Sequence, residues 1–221
     1  MSSSRMALAA IVLSALTSAA PPRLEISVPR GSAATIDGRI DPAEWAGSFE
    51  TTMSDGSRLL LRHDGQSLYL AIQAKSAGFP SVCVQRGDTV RILHSSAALS
   101  AAVFVKSGND WTLRQPFVFA MRSRDTSAAG KAAQTDYFAA QHWVATNSAM
   151  SRTEREMRIS LDLFDPSDRR FALGLYVEAA DKGVAWPTNH DDGCTATKTV
   201  QGFLPATLGF QTDGWARVTF R

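Results

Sequence analysis

From residue 24 onward, short apolar runs alternate with clusters of Gly, Ser, Asn and Asp. That spacing predicts strands joined by tight turns. Leu24-Glu25-Ile26-Ser27-Val28 alternates cleanly and reads as a first strand. Leu59 to His63 and Ser67 to Ala74 flank Asp64-Gly65, a hairpin signal because Gly accepts the positive φ of the reversal. Thr89 to His94 and Ala101 to Val105 read as two more strands. Trp111 to Leu113 and Gln115 to Ala120 follow, with Pro116 implying an edge or a bulge. Ala128 to Ala133 is small and reads as a loop. Phe138 to Ala145 and Glu156 to Leu161 then look like a second hairpin. Leu163 to Pro166 turns into a long strand, Arg170 to Glu178, and Gly214 to Phe220 closes the chain. The count is about ten strands without a long helix, the pattern of an all-β, antiparallel sandwich or barrel. Neither an internal repeat nor a second domain is visible.

Residues 36–45, Ile-Asp-Gly-Arg-Ile-Asp-Pro-Ala-Glu-Trp, are the most informative stretch. Asp37-Gly38 is a turn dipeptide. Asp41 reads as an N-cap with Pro42 at the first helical position, and Glu44 completes a capping-box pattern. Trp45 follows as an apolar plug. This unit resembles the "I-D-G-x-x-D-x-x-E-W" entry of carbohydrate-binding module family 9-like domains, relatives of the DOMON domains. The hairpin 59–74 is similar to that family's "Y-D-D-x-x-L-Y-x-A" strand pair. Residues 156–161 are similar to its "E-x-x-I-P" strand, with Ser160 in place of Pro, and Val184-Ala185-Trp186-Pro187 to its late "W-P" segment. The order and spacing of these blocks match over most of residues 24–221. The resemblance implies an immunoglobulin-like or DOMON-like sandwich and non-catalytic binding of a carbohydrate.

The first residues refine the location. Arg5, the apolar run Met6 to Leu16 and the small residues 17–20 have the form of a signal peptide ending at Ala19. Residues 20–221 then constitute one exported domain, secreted or periplasmic, with no transmembrane segment after leader cleavage. The 23 Lys+Arg against 21 Asp+Glu make no basic field, which gives nucleic-acid binding no electrostatic support. In an oxidising compartment the two cysteines, Cys83 and Cys194, predict a disulfide.

Sugar recognition needs flat apolar faces together with convergent polar groups. Of five tryptophans, Trp45 and Trp215 read as core. Trp143 and Trp186 are the candidate stacking faces, with Trp111 at a loop edge as a third. His142, Asn189 and His190 are their candidate hydroxyl partners. Asp181, Asp191 and Asp192 form an acidic loop of the type that takes calcium, the one cofactor these residues suggest. Asp37, Asp41 and Glu44 cluster likewise, but turn and cap chemistry already accounts for them. The DOMON relationship raises a haem-binding electron-transfer domain as the alternative, with His63, His94 or His142 and Met53, Met121, Met150 or Met157 as conceivable ligands. A sandwich that binds a protein partner in the envelope is the other rival. Hydrolase, metalloprotease and phosphate-loop signatures are absent from the sequence, and Glu156 and Glu178 are the strand acids that could face a cleft.

Overall fold

The structure, a computed structural model, describes residues 24–121, 127–146, 153–188 and 192–221. The leader 1–19 lies outside the described residues. The chain forms β1 (Glu25–Val28), β2 (Phe49–Thr52), β3 (Arg58–His63), β4 (Ser67–Gln73), β5 (Gly78–Arg86), β6 (Thr89–Ser95), β7 (Leu99–Ser107) and β8 (Asp110–Gln115). Helix α1 (Ala128–Gln141), β9 (Trp143–Ala145), β10 (Glu154–Ser160), β11 (Arg170–Val177) and β12 (Lys182–Trp186) follow. A short helix α2 (Thr197–Val200), β13 (Thr207–Leu208) and β14 (Ala216–Phe220) complete it.

Two sheets face each other as an all-β sandwich. The larger runs β1-β14-β11-β5-β6-β7-β8-β13, with β12 also paired to β11, and the smaller runs β2-β3-β4-β10-β9. Every pairing between these strands is antiparallel except β1 with β14. Between the sheets lie Leu59, Leu61, Leu70, Ile72, Val82, Val84, Leu93, Met157, Ile159, Phe171 and Leu173, all buried.

The outer faces are covered as well. On the small sheet, Trp45 and Ala34 from residues 31–48 bury Leu60, Tyr69 and Ala71. On the large sheet, Cys194, Phe210 and Trp215 from the C-terminal segment bury Cys83, Ile92, Phe104 and Ala172. β4 and β11 are therefore buried on both faces, which explains why their sequences are continuously apolar and do not alternate.

The hairpin 59–74 forms as expected, with Gly65 at φ 97°. The loop expected at 128–133 and the strand expected from 138 are corrected by α1. Its Ala content favours helix, and Ser127 caps it by accepting from the Gly130 N–H at 3.2 Å. The helix buries little of itself, so no apolar stripe announced it. It ends at His142, which adopts the left-handed conformation at φ 62° and leads directly into β9. β9 keeps only the last three residues of the expected strand and pairs Trp143 with Ile159 of β10. Residues 116–120 do not extend β8. β5, not expected from the sequence, begins with Gly78 and Pro80, residue types depleted in strands. β6 pairs with it only from Ser81, so Pro80 sits where one side of the strand carries no β6 partner.

Cys83 on β5 is disulfide-bonded to Cys194, across 111 residues, and pins the C-terminal cover to the large sheet. Replacing both by Ala should lower the unfolding free energy by about 2–4 kcal/mol. Urea denaturation followed by far-UV circular dichroism measures this; an unchanged midpoint would mean that packing alone holds the cover.

Candidate functional site

The opening motif is organised around a carboxylate from a distant strand. β10 turns Met157 and Ile159 into the inter-sheet core, so Glu156 emerges on the outer face of the small sheet. There it is fully buried and accepts from the backbone N–H groups of Asp37 at 3.0 Å and Gly38 at 2.7 Å, and from the Trp45 indole N–H at 3.1 Å. Gly38 has φ 84°, a conformation in which its N–H can meet the same oxygen as its neighbour's. Asp37 and Asp41 serve the turns that follow them, accepting from Arg39 N–H and Ala43 N–H. The expected capping box is not formed. Residues 42–47 are turns, and Glu44 accepts instead from Thr35 N–H at 2.6 Å. Beside this, Arg62 donates to the Glu44 carbonyl and to Ser32 Oγ.

The expected stacking faces are corrected. Trp143, Trp186 and Trp111 expose 0%, 1% and 3% of their surface and present no face to a ligand. Trp143 opens β9 and Trp186 closes β12 with their indoles in the inter-sheet core, and Trp111 on β8 packs into the cluster on the outer face of the large sheet. Trp143 packs edge-on against Tyr137, Trp186 lies against Phe171, and Trp111 against Phe210. His142 is exposed, but as the helix cap and away from any open indole face. Asn189, His190 and Asp191 lie outside the described residues.

The remaining acids of the expected calcium loop are occupied. Asp192 accepts from Cys194 N–H at 2.7 Å, Gln211 N–H at 2.8 Å and the Trp215 indole at 2.9 Å. Asp181 accepts from the Tyr176 hydroxyl and Gln201. Among the described residues no group of three or more potential ligands could hold a metal. Of the histidines considered for haem, His63 uses both ring nitrogens, one on the Arg221 carbonyl and one on Gly65 N–H. His94 is buried beside Ser81 at 2.9 Å, and burial holds its pKa down at about 4. Met53 and Met157 belong to the inter-sheet core, Met121 packs against it, and Met150 lies outside the described residues.

An open cleft of about 290 Å³ lies where the cover over the small sheet gives way to α1. Gly65, Gln66, Ser67, Phe138, Arg158 and the turn 160–162 line it. Arg158 is next but one to Glu156 on β10 and so shares its outward face. Its guanidinium lies 3.8 Å from the Phe138 ring centre and 5.8 Å from that of Tyr69, and its Nε donates to Ser67 Oγ at 3.0 Å. The floor is rigid: Ser160 pairs with Ser67, and Leu161 N–H donates to the Gln66 carbonyl at 2.9 Å. Asp162 stands at the rim beside the Ser160 hydroxyl. At the other side, burial pushes the Asp64 carboxyl up, but the N–H groups of Gln66 and Ser67 and the Tyr69 hydroxyl outweigh it and hold the pKa below the ordinary range.

Sequence reasoning passed over this cleft because Phe138 and Arg158 are far apart along the chain and neither belongs to a motif. It also missed a patch of Val118, Phe119 and Phe203, which expose 64%, 52% and 67% of their surface. Compared with known proteins, the chain matches no family model, no curated protein and no solved structure.

Two measurements follow from these placements. Trp186→Ala should cost about 3–5 kcal/mol of stability, as a large aromatic deletion in a packed core does. A near-neutral effect in thermal unfolding would put the indole elsewhere. Burial raises the Glu156 pKa from 4.5 to about 7. The folded protein then keeps this proton through a window where the unfolded chain has released it. The contribution of Glu156 is thus complete below about pH 4.5 and is lost as pH rises through about 7. Subtracting the pH profile of the melting temperature of Glu156→Gln from that of the wild type should reveal this decline, and parallel profiles would contradict it.

Proposed function

We propose that this protein is an exported, non-catalytic carbohydrate-binding sandwich that takes its sugar in the cleft beneath α1. The observation that carries the reading is the convergence of Phe138, Arg158, Gln66, Ser67, Ser160 and Asp162 around one open cavity. It offers apolar and guanidinium surface for the C–H side of a pyranose, ringed by donors and acceptors for hydroxyls. At about 290 Å³ its size suits a single sugar ring or a chain end. The two-sheet architecture and the sequence resemblance to carbohydrate-binding module family 9-like domains point the same way.

A binding role suits the acids that are present. Among the described residues Asp162 is the one carboxylate that lines the cleft, whereas hydrolysis of a glycoside normally uses two. Glu156 is enclosed beneath the small-sheet cover, and Glu178 follows β11 in the other sheet. The Cys83–Cys194 disulfide accords with export, and no described helix is long and apolar enough to cross a membrane. The exposed Val118, Phe119 and Phe203 favour a second reading, a sandwich that docks a protein partner in the envelope.

Gln66 is exposed and its backbone, not its side chain, serves the floor, so Gln66→Trp should fill the cleft while leaving the melting temperature within a degree or two. A glycan array of the purified protein should give hits in one sugar class that this variant abolishes. A blank array from folded protein, or hits indifferent to Gln66→Trp, would overturn the reading.

A further inference from the structure

We propose that the cleft selects acidic sugars, with the Arg158 guanidinium taking the carboxylate of a uronate. This rests on the carbohydrate reading of the same cleft and narrows it to a ligand class.

Arg58 is paired with Glu50, Arg170 with Asp168 and Asp213, and Arg217 with Asp168 and Glu25. Arg158 differs. Its Nε is spent on Ser67 Oγ, and among the described residues nothing accepts from its two terminal nitrogens. The group is nonetheless fixed. Its plane lies against Phe138, Tyr69 flanks it, and its strand is hydrogen-bonded to β4 on one side and β9 on the other. An arginine held in place with free terminal N–H groups has already lost much of the rotamer entropy that binding would otherwise cost. Those N–H groups form a planar fork that matches the two oxygens of a carboxylate.

The surrounding charge separates a carboxylate from a more highly charged anion. Asp162 lines the same cleft. Asp64 feels the charge of Arg158, but it accepts from Gln66 N–H, Ser67 N–H and the Tyr69 hydroxyl, and no ion pair among the described residues joins it to the guanidinium. Two acids beside one cation oppose a phosphate dianion more strongly than a single carboxylate, so the directional fork of Arg158, not a net positive field, recognises the anion. A monoanion suits the site, provided it also brings hydroxyls for Asp162, Gln66 and Ser160. A uronate has both features on one ring.

Calorimetric titration would compare methyl β-D-glucuronide and methyl α-D-galacturonide with the matching neutral glucoside and galactoside. The wild type, Arg158→Gln and Gln66→Trp would each be titrated, with propionate as a plain carboxylate. One uronide should bind at least tenfold tighter than its neutral counterpart and than propionate. That advantage should shrink in high salt and vanish in Arg158→Gln, whose melting temperature should stay near the wild-type value. Gln66→Trp should abolish binding of every sugar. Equal binding of uronide and neutral sugar, with Gln66→Trp still blocking both, overturns the acid preference and leaves the carbohydrate reading standing. Propionate binding as tightly as the uronides overturns recognition of a sugar. Binding of none of these probes to folded protein, or binding that ignores Gln66→Trp, overturns both.

Discussion

A carboxylate that accepts an indole N–H closes each outer face of this sandwich. Glu156 receives Trp45 over the small sheet, and Asp192 receives Trp215 over the large one. In both places the same carboxylate also accepts backbone N–H groups, Asp37 and Gly38 in one case, Cys194 and Gln211 in the other. A covering segment has few regular hydrogen bonds of its own, and an unpaired buried N–H is costly. One acid with several acceptor positions answers that need while a tryptophan supplies the apolar contact. The sheets can then be apolar on both sides, and most of the architecture depends on that freedom.

The cleft exists because the cover over the small sheet is incomplete. Across that face, Arg62, Tyr69 and Arg158 stand side by side on β3, β4 and β10. Arg62 lies under residues 31–48, held by the Glu44 carbonyl, whereas Arg158 lies beyond them. Tyr69 marks the boundary. Its ring belongs to the cluster around Trp45, yet it also flanks the Arg158 guanidinium, and its hydroxyl donates to Asp64 at 2.7 Å. Burial and that bond push the phenol up to about 12, so it stays a neutral donor at ordinary pH. The residue that completes the outer core on one side therefore shapes the binding surface on the other.

Much of the fold was legible in the sequence, because period-two patterns and the Asp64-Gly65 turn report directly on strands and their reversal. The disulfide followed from an even cysteine count. What escaped had physical reasons. Helix α1 is rich in Ala, rests lightly on the sandwich and carries no stripe. β5 begins with residues that usually make turns. The motif 36–45 was readable as a unit, but its partner Glu156 is 111 residues from Trp45, and no local rule connects them. Binding residues were harder still. Tryptophans with polar neighbours suggested exposed stacking faces, but Trp143 and Trp186 stand at strand ends, where polar neighbours in sequence say nothing of which way the indole turns, and both are buried. Arg158 had no special sequence context, and only the approach of Phe138 from α1 gave it one.

The two covers differ in one respect. The C-terminal cover is held by a covalent link as well as by Asp192, whereas residues 31–48 have no such link and rely on contacts through Glu156, Glu44 and Arg62. Local opening follows the weakest cooperative unit. The sandwich therefore has a loose side and a tight side, and the loose one borders the cleft. Fraying of residues 31–48 would release Tyr69 and with it one wall of the guanidinium's setting, while the large sheet, its C-terminal layer and the contacts between the sheets stayed closed.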